Sequence, residues 1–169
     1  LDESMELDRL IEFVENNPHL SNKILSIDTY KPRVAKFALN NGFTMINDIK
    51  SGSNDGRMMK LAADFNCPIV LMHMDGSPET MQNNPYYDNI IDNILLFFER
   101  KIKIAESYGI SLDKIILDPG IGFGKRIEDN DAIINSLNIF KQFGSKILIG
   151  ISRKSFLSVN GDMPDHRLS

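Results

Sequence analysis

The stretch IILDPGIGFGK, residues 115–125, joins a short apolar run to a turn and three glycines. Asp118 ends the apolar run, and a carboxylate there can accept a forked pair of N–H donors. A 2-aminopyrimidinone edge, as in guanine or pterin, offers such donors. The alternative is that Asp118 begins the Pro-Gly turn and binds only backbone. GIGFG is not a dinucleotide-binding GxGxxG motif, and Phe123 between its glycines suits a stacked ring better than a phosphate.

Polar side chains also follow other apolar runs of the chain. Asn47 carries a donor and an acceptor on one planar group, which suits the mixed edge of a heterocycle, although an Asx turn with Asp48 is the alternative. Asp28 could accept from a ring N–H or cap the helix that begins near Pro32. His73 has no second histidine nearby, so a wall histidine with satisfied hydrogen bonds is favoured over a zinc ligand.

The segment GISRKSF, residues 150–156, leads from a strand-like run into a predicted helix start. Backbone N–H groups at a helix start, together with the cations Arg153 and Lys154, favour an anion such as phosphate or carboxylate. A solvated basic turn is the alternative. The segment lacks the Gly-x4-Gly-Lys-[Ser/Thr] pattern of a P-loop.

These side chains are spaced along an alternation of strand-like and helix-like segments. Near-continuous apolar runs, typical of strands covered on both faces, occupy residues 24–28, 44–49, 68–74, 115–118 and 146–152. Apolar residues at helical spacing predict helices over residues 2–15, 32–41, 56–65, 88–108 and 129–143. The alternation predicts an α/β fold with a parallel sheet, either an open doubly wound sheet or a (β/α)8 barrel. In both, ligands bind at the carboxyl ends of the strands, where these polar side chains converge.

Composition narrows the class of protein. The 169 residues carry a net charge of -4 with no Lys/Arg run, which argues against nucleic acid as a partner. The single cysteine, Cys67, cannot form an internal disulfide, which fits a reducing cytosol. No apolar run approaches the ~18 residues that span a membrane. We expect one cytoplasmic domain over residues 1–169, and the opening without Met suggests a segment of a longer protein.

Five motifs, in this order, resemble the dihydropteroate synthase family: SIDTYKPRVAKFAL, MINDI, VLMHMDGSPETMQ, ILDPGIGFGK and ILIGISRKSFL. The resemblance covers essentially the whole chain and implies a (β/α)8 TIM barrel, here partial and truncated at both ends, with about strands 3 to 7 and helices 2 to 6. It implies a transferase of folate biosynthesis that condenses 6-hydroxymethyl-7,8-dihydropterin diphosphate with 4-aminobenzoate, assisted by Mg²⁺. The family is the target of sulfonamides and is usually a homodimer.

Carried over position by position, the resemblance implies a pterin pocket and one aminobenzoate contact. The pterin pocket comprises Asp28, Asn47, Ile49, Met72, Asp118, Phe123, Gly150 and Lys154. Asp118 would hold the pterin amino and ring N–H groups, Lys154 would bond pterin acceptors, and no catalytic acid or base is assigned. Ser152 would lie near the carboxylate of 4-aminobenzoate.

The chain lacks three motifs of the family: Asn-x-Thr-x-Asp-Ser-Phe, Ser-Thr-Arg-Pro-Gly and Arg-x-His. In the family these supply the Mg²⁺-linked Asn, loops over the aminobenzoate and much of the diphosphate site. We therefore expect the main Mg²⁺ ligand outside this chain and no activity from the chain alone. Two alternatives stay open: a pterin-binding methyltransferase acting from methyltetrahydrofolate on a corrinoid protein, which SRKSF argues against, and a non-catalytic truncated barrel.

Overall fold

The strands of the protein form one parallel sheet whose order follows the chain. The computed structural model describes residues 2–52, 55–74 and 87–151 of the 169-residue chain. The sheet order is β1-β2-β3-β4-β5 with every pair parallel. The bounds are β1 (Ser26–Asp28), β2 (Met45–Asp48), β3 (Ile69–Met72), β4 (Ile115–Asp118) and β5 (Lys146–Ile147). A doubly wound sheet reverses its order at a switch point, whereas a barrel wall does not. The fold is therefore part of a (β/α)8 barrel, as predicted.

Helices connect successive strands. The α-helices are α1 (Glu3–Asn16), α2 (Pro32–Asn40), α3 (Arg57–Asp64), α4 (Ile90–Ser107), α5 (Ile127–Asn135) and α6 (Leu137–Phe140). Their ends follow local sequence rules: Pro32 occupies the first turn of α2, and the side chain of Asn89 caps α4 by accepting from the N–H groups of Ile91 and Asp92. Across the described ranges, no helix is long and apolar enough to cross a membrane.

One face of the sheet packs against the helices. The strand residues on that face are core residues with almost no exposed surface: Ile46, Ile69, Leu71, Ile115 and Leu117. They pack with buried side chains of α3, α4, α5 and α6, including Met58, Phe98, Ile133 and Phe140. Because strand side chains alternate between faces, the intervening residues point to the opposite face. In a barrel, that helix-free face surrounds the barrel axis.

The predicted helix over residues 129–143 is wrong in extent. It begins earlier, at Ile127, and α5 ends at Asn135. Ser136 then adopts φ -111° and ψ 12° and donates its N–H to the Ile133 carbonyl oxygen, before α6 and a short 3-10 helix at Lys141–Phe143 complete the segment. Asn and Ser are weak helix formers because their side chains compete for backbone hydrogen bonds.

The predicted strand over residues 146–152 is also too long. Only Lys146 and Ile147 pair in the ladder with β4, and the Leu148 N–H donates to the Leu117 carbonyl oxygen at 2.9 Å before residues 149–151 leave it. Within the described ranges β5 is an edge strand, so one side of its backbone lacks a neighbour that would extend it.

Candidate active site

Four of the predicted pterin residues lie on the helix-free face, at the carboxyl ends of four neighbouring strands. Asp28 is the ladder partner of Asn47, and Met72 is the ladder partner of Asp118. Each alternates with a neighbour that faces the helices, such as Ile46 beside Asn47. The structure therefore brings these four side chains to one face and one edge of the barrel wall.

The remaining predicted residues lie in the segments that follow the strands. Ile49 follows β2 and is half-buried, and Phe123 lies half-buried in the loop after β4. Gly150 follows β5 outside the ladder, where it is exposed and an added Cβ would meet no atom within 4 Å. Ser152 and Lys154, with the rest of GISRKSF beyond Ile151, fall outside the described residues.

The Asp118 side chain makes a contact within the turn that follows β4. Its side chain is buried, and its Oδ1 accepts from the Gly120 N–H at 2.7 Å. That bond is the predicted Pro-Gly turn contact. A carboxylate has two acceptor oxygens with about four lone-pair sites between them, so this single bond does not decide by itself between the turn and the ligand interpretation. The bond does orient the Asp118 carboxylate.

The structural alternatives for Asp28 and Asn47 do not occur. Helix α2 has Lys31 as its N-cap residue and no side-chain capping bond, so Asp28 does not cap it. The Asx turn after β2 belongs to Asp48, whose Oδ1 accepts from the Lys50 N–H at 2.9 Å. The Asp28 side chain retains solvent access, yet partial desolvation, reinforced by the negative charge of Glu6, raises its pKa.

The glycine loop is not built as a phosphate cradle. Three of its N–H groups bond within the protein: Gly120 donates to Asp118, Gly122 to Asn130 Oδ1 at 2.8 Å, and Phe123 to the Gly120 carbonyl oxygen at 3.1 Å. A phosphate site of this kind needs several backbone N–H groups aimed outward at one anion. The glycines serve the close turn instead, with φ of 68° at Gly120 and 76° at Gly122.

His73 lies on the opposite, helix-facing side of the sheet. Its ring packs edge-on against Phe97, with ring centroids 5.1 Å apart, and lines a cleft of about 710 Å³ beside α4. Burial, followed by the positive charge of Lys125, lowers the pKa of His73 to about 3. The expectation of satisfied hydrogen bonds is wrong for Nδ1, which is buried and has no partner among the described residues.

The sequence did not predict a buried polar network next to Asn47, in the loop that follows β2. The Asp48 carboxylate is fully buried and accepts from the Gly52 N–H at 2.7 Å. The Ser51 hydroxyl donates to the Met72 carbonyl oxygen at 2.6 Å. Lys101 Nζ on α4 donates to the Ser51 carbonyl oxygen at 2.6 Å. Burial raises the pKa of Asp48 and lowers the pKa of Lys101, because both charges lose water. The network joins the loop after β2 to the end of β3.

The barrel wall carries its polar side chains at the carboxyl ends of the strands, which is the edge where barrel enzymes bind their ligands. Residues 1–168 match the family described as pterin binding enzyme, and the chain belongs to that family.

Several proteins similar to this chain are named dihydropteroate synthase. The one from Synechocystis sp. is 39% identical over 160 residues, which cover 95% of this chain and 55% of the relative. The one from Haemophilus influenzae is 36% identical over 167 residues, covering 98% of this chain and 60% of the relative. A Yersinia pestis dihydropteroate synthase, solved as a sulfonamide drug complex, superposes with a TM-score of 0.86 at 38% identity, covering 92% of this chain and 57% of that one. The chain thus spans somewhat more than half the length of these relatives.

Proposed function

We propose that the longer protein containing this chain is a dihydropteroate synthase and that this chain supplies most of its pterin pocket. The aminobenzoate nitrogen attacks the methylene carbon of 6-hydroxymethyl-7,8-dihydropterin diphosphate. The bond from that carbon to the diphosphate oxygen breaks, and diphosphate leaves with the electron pair. The nitrogen then loses a proton to solvent, which gives 7,8-dihydropteroate.

The observation that carries this proposal is the shared face of Asp28, Asn47, Met72 and Asp118. Asp118 accepts from the twin N–H donors of the pterin, while Asn47 and Asp28 meet its other edge and Met72 forms an apolar wall. A site assembled this way acts by positioning the electrophilic methylene against the amine. The protein relatives named dihydropteroate synthase support the same assignment.

The other assignments belong to the same proposal. Phe123, Ile49, Gly150 and Lys154 complete the pterin pocket, and Ser152 meets the carboxylate of 4-aminobenzoate. Sulfonamides compete with 4-aminobenzoate, and the longer protein is a cytoplasmic homodimer. Mg²⁺ accompanies the diphosphate. Its main ligand lies outside this chain in the proposal, and the described residues contain no group of three or more His, Cys, Asp or Glu side chains that could hold a metal.

The test is a condensation assay on the longer protein. Dihydropteroate and diphosphate should form in equal amounts, only when both substrates are present, and a sulfonamide should raise the apparent KM for 4-aminobenzoate. The 169 residues by themselves should give no turnover. Methyl transfer from methyltetrahydrofolate to a corrinoid protein, with no condensation, would contradict the proposal and favour the methyltransferase alternative.

A further inference from the structure

Lys125 is a buried lysine at the end of the glycine loop, with 6% of its surface exposed. Its ammonium donates to the carbonyl oxygen of His73 at 3.1 Å and to that of Phe123 at 3.0 Å. One of these carbonyls follows β3 and the other lies within the loop after β4. The side chain therefore bridges the carboxyl ends of two neighbouring strands, directly behind the predicted pterin face.

The same region contains a close approach between two backbone segments. A Cβ built on Gly120 would lie within 3.2 Å of Lys125 Nζ and nearer still to the His73 carbonyl oxygen. The His73 N–H donates to the Asp118 carbonyl oxygen at 2.8 Å, which extends the ladder by one bond. Gly120, His73 and Lys125 thus pack into one junction two residues from the Asp118 carboxylate.

A buried ammonium is tolerated only where carbonyl or carboxylate oxygens replace its lost water. Removing the ammonium leaves two carbonyl oxygens without that donor, and the loop relaxes to find others. Two proposed pterin contacts depend on the loop: Asp118 directly precedes it, and Phe123 lies within it and accepts from Lys125 through its carbonyl oxygen. A shift of the loop therefore displaces the proposed pterin site more than it displaces the rest of the barrel.

We propose that Lys125 is a positioning residue that fixes the loop of residues 119–126 in the conformation that presents Asp118 and Phe123 to the pterin. The inference rests on the proposed function for the identity of the ligand, but the loop-fixing role is a property of the protein without ligand.

The experiment compares three variants of the longer protein. Lys125→Met keeps the length and apolar stem of the side chain but removes the ammonium. Lys125→Arg keeps a cation with several N–H donors. Lys114→Met is the matched control, because Lys114 Nζ donates at 3.1 Å to the Asn66 carbonyl oxygen at the amino ends of the same two strands. It removes one exposed lysine–carbonyl hydrogen bond far from the pterin edge.

Two measurements are made on each variant. The first is amide hydrogen exchange without ligand. Lys125→Met should raise the exchange rates of the amides of residues 120–126 by about tenfold, while Lys114→Met should not. The second compares how each variant binds the pterin substrate with its KM for 4-aminobenzoate. Lys125→Met should weaken pterin binding by about tenfold to a hundredfold, leave the KM for 4-aminobenzoate within about threefold, and be partly rescued by Lys125→Arg.

The outcomes separate the two proposals. Unchanged exchange of the loop in Lys125→Met, or loss of affinity that is equal for both substrates, overturns the positioning role. A wild-type protein that binds no pterin overturns the proposed function instead, whatever the exchange of the loop shows. Selective loss of pterin affinity with an exposed loop supports both.

Discussion

Gly120 lies directly against the carbonyl oxygen of His73. A Cβ at this position would be closer than 3.0 Å to that oxygen, and Gly120 also has a φ of 68°. Two independent constraints, space and backbone conformation, therefore require glycine where the loop after β4 crosses the end of β3.

The first prediction compares Gly120→Ala with Gly144→Ala. Gly144 has a nearly equal φ of 72°, but the atom nearest its Cβ position, Leu112 Cδ2, is 3.5 Å away. The control should lose about 1–2 kcal/mol of unfolding free energy from the left-handed backbone alone. Gly120→Ala should lose at least about 2 kcal/mol more, because the backbone carbonyl cannot move aside cheaply. Equal losses in urea unfolding of the longer protein would show that the close approach has no energetic consequence.

A second prediction concerns the buried Asp48 carboxylate. In Asp48→Asn one oxygen becomes an NH₂ group facing either the Lys50 or the Gly52 N–H. One buried donor then lacks an acceptor, which should cost about 1–3 kcal/mol of unfolding free energy. The control is Asp64→Asn, which removes an exposed carboxylate paired with Lys60 and should change stability by less than about 1 kcal/mol. A variant as stable as this control would mean that the network is dispensable.

The third prediction is that His73 makes the unfolding free energy depend on pH in the acid range. In the folded protein its pKa is about 3, below the ordinary 6.5. Between these two pH values the unfolded chain therefore binds a proton at His73 and the folded protein does not. Between pH 6.5 and about 3, stability should therefore fall with decreasing pH, by up to about 1.4 kcal/mol per pH unit from this group. His73→Phe keeps the ring contact with Phe97 and should flatten that decline. If both proteins lose unfolding free energy equally on acidification, His73 is not the source.

The strands and their shared polar edge could be predicted because both depend on local patterns. Alternation along a strand is local, so the placement of Asp28, Asn47 and Asp118 beyond apolar runs already indicated a common edge. The order of the strands could not be read from periodicity, because pairing is long-range; only the resemblance to a family supplied it.

Several features of the site left no readable signal in the sequence. Lys125 and Lys101 both bond backbone carbonyl oxygens, and every residue has such an oxygen, so residue types do not reveal the pairing. The unpartnered Nδ1 of His73 likewise follows from packing rather than from its neighbours in the chain.

The proposal depends most on Asp118 accepting hydrogen bonds from the pterin N–H pair. The most direct test is to measure by calorimetry how tightly the longer protein binds 6-hydroxymethyl-7,8-dihydropterin. Asp118→Asn keeps the shape but turns one acceptor into a donor against the pterin N–H pair. Asp113→Asn, an exposed carboxylate just before the same strand, is the control. We predict that Asp118→Asn weakens binding more than tenfold (~1.4 kcal/mol) while the control binds like the wild type. Binding by Asp118→Asn that is as tight as that of the wild type would contradict the account.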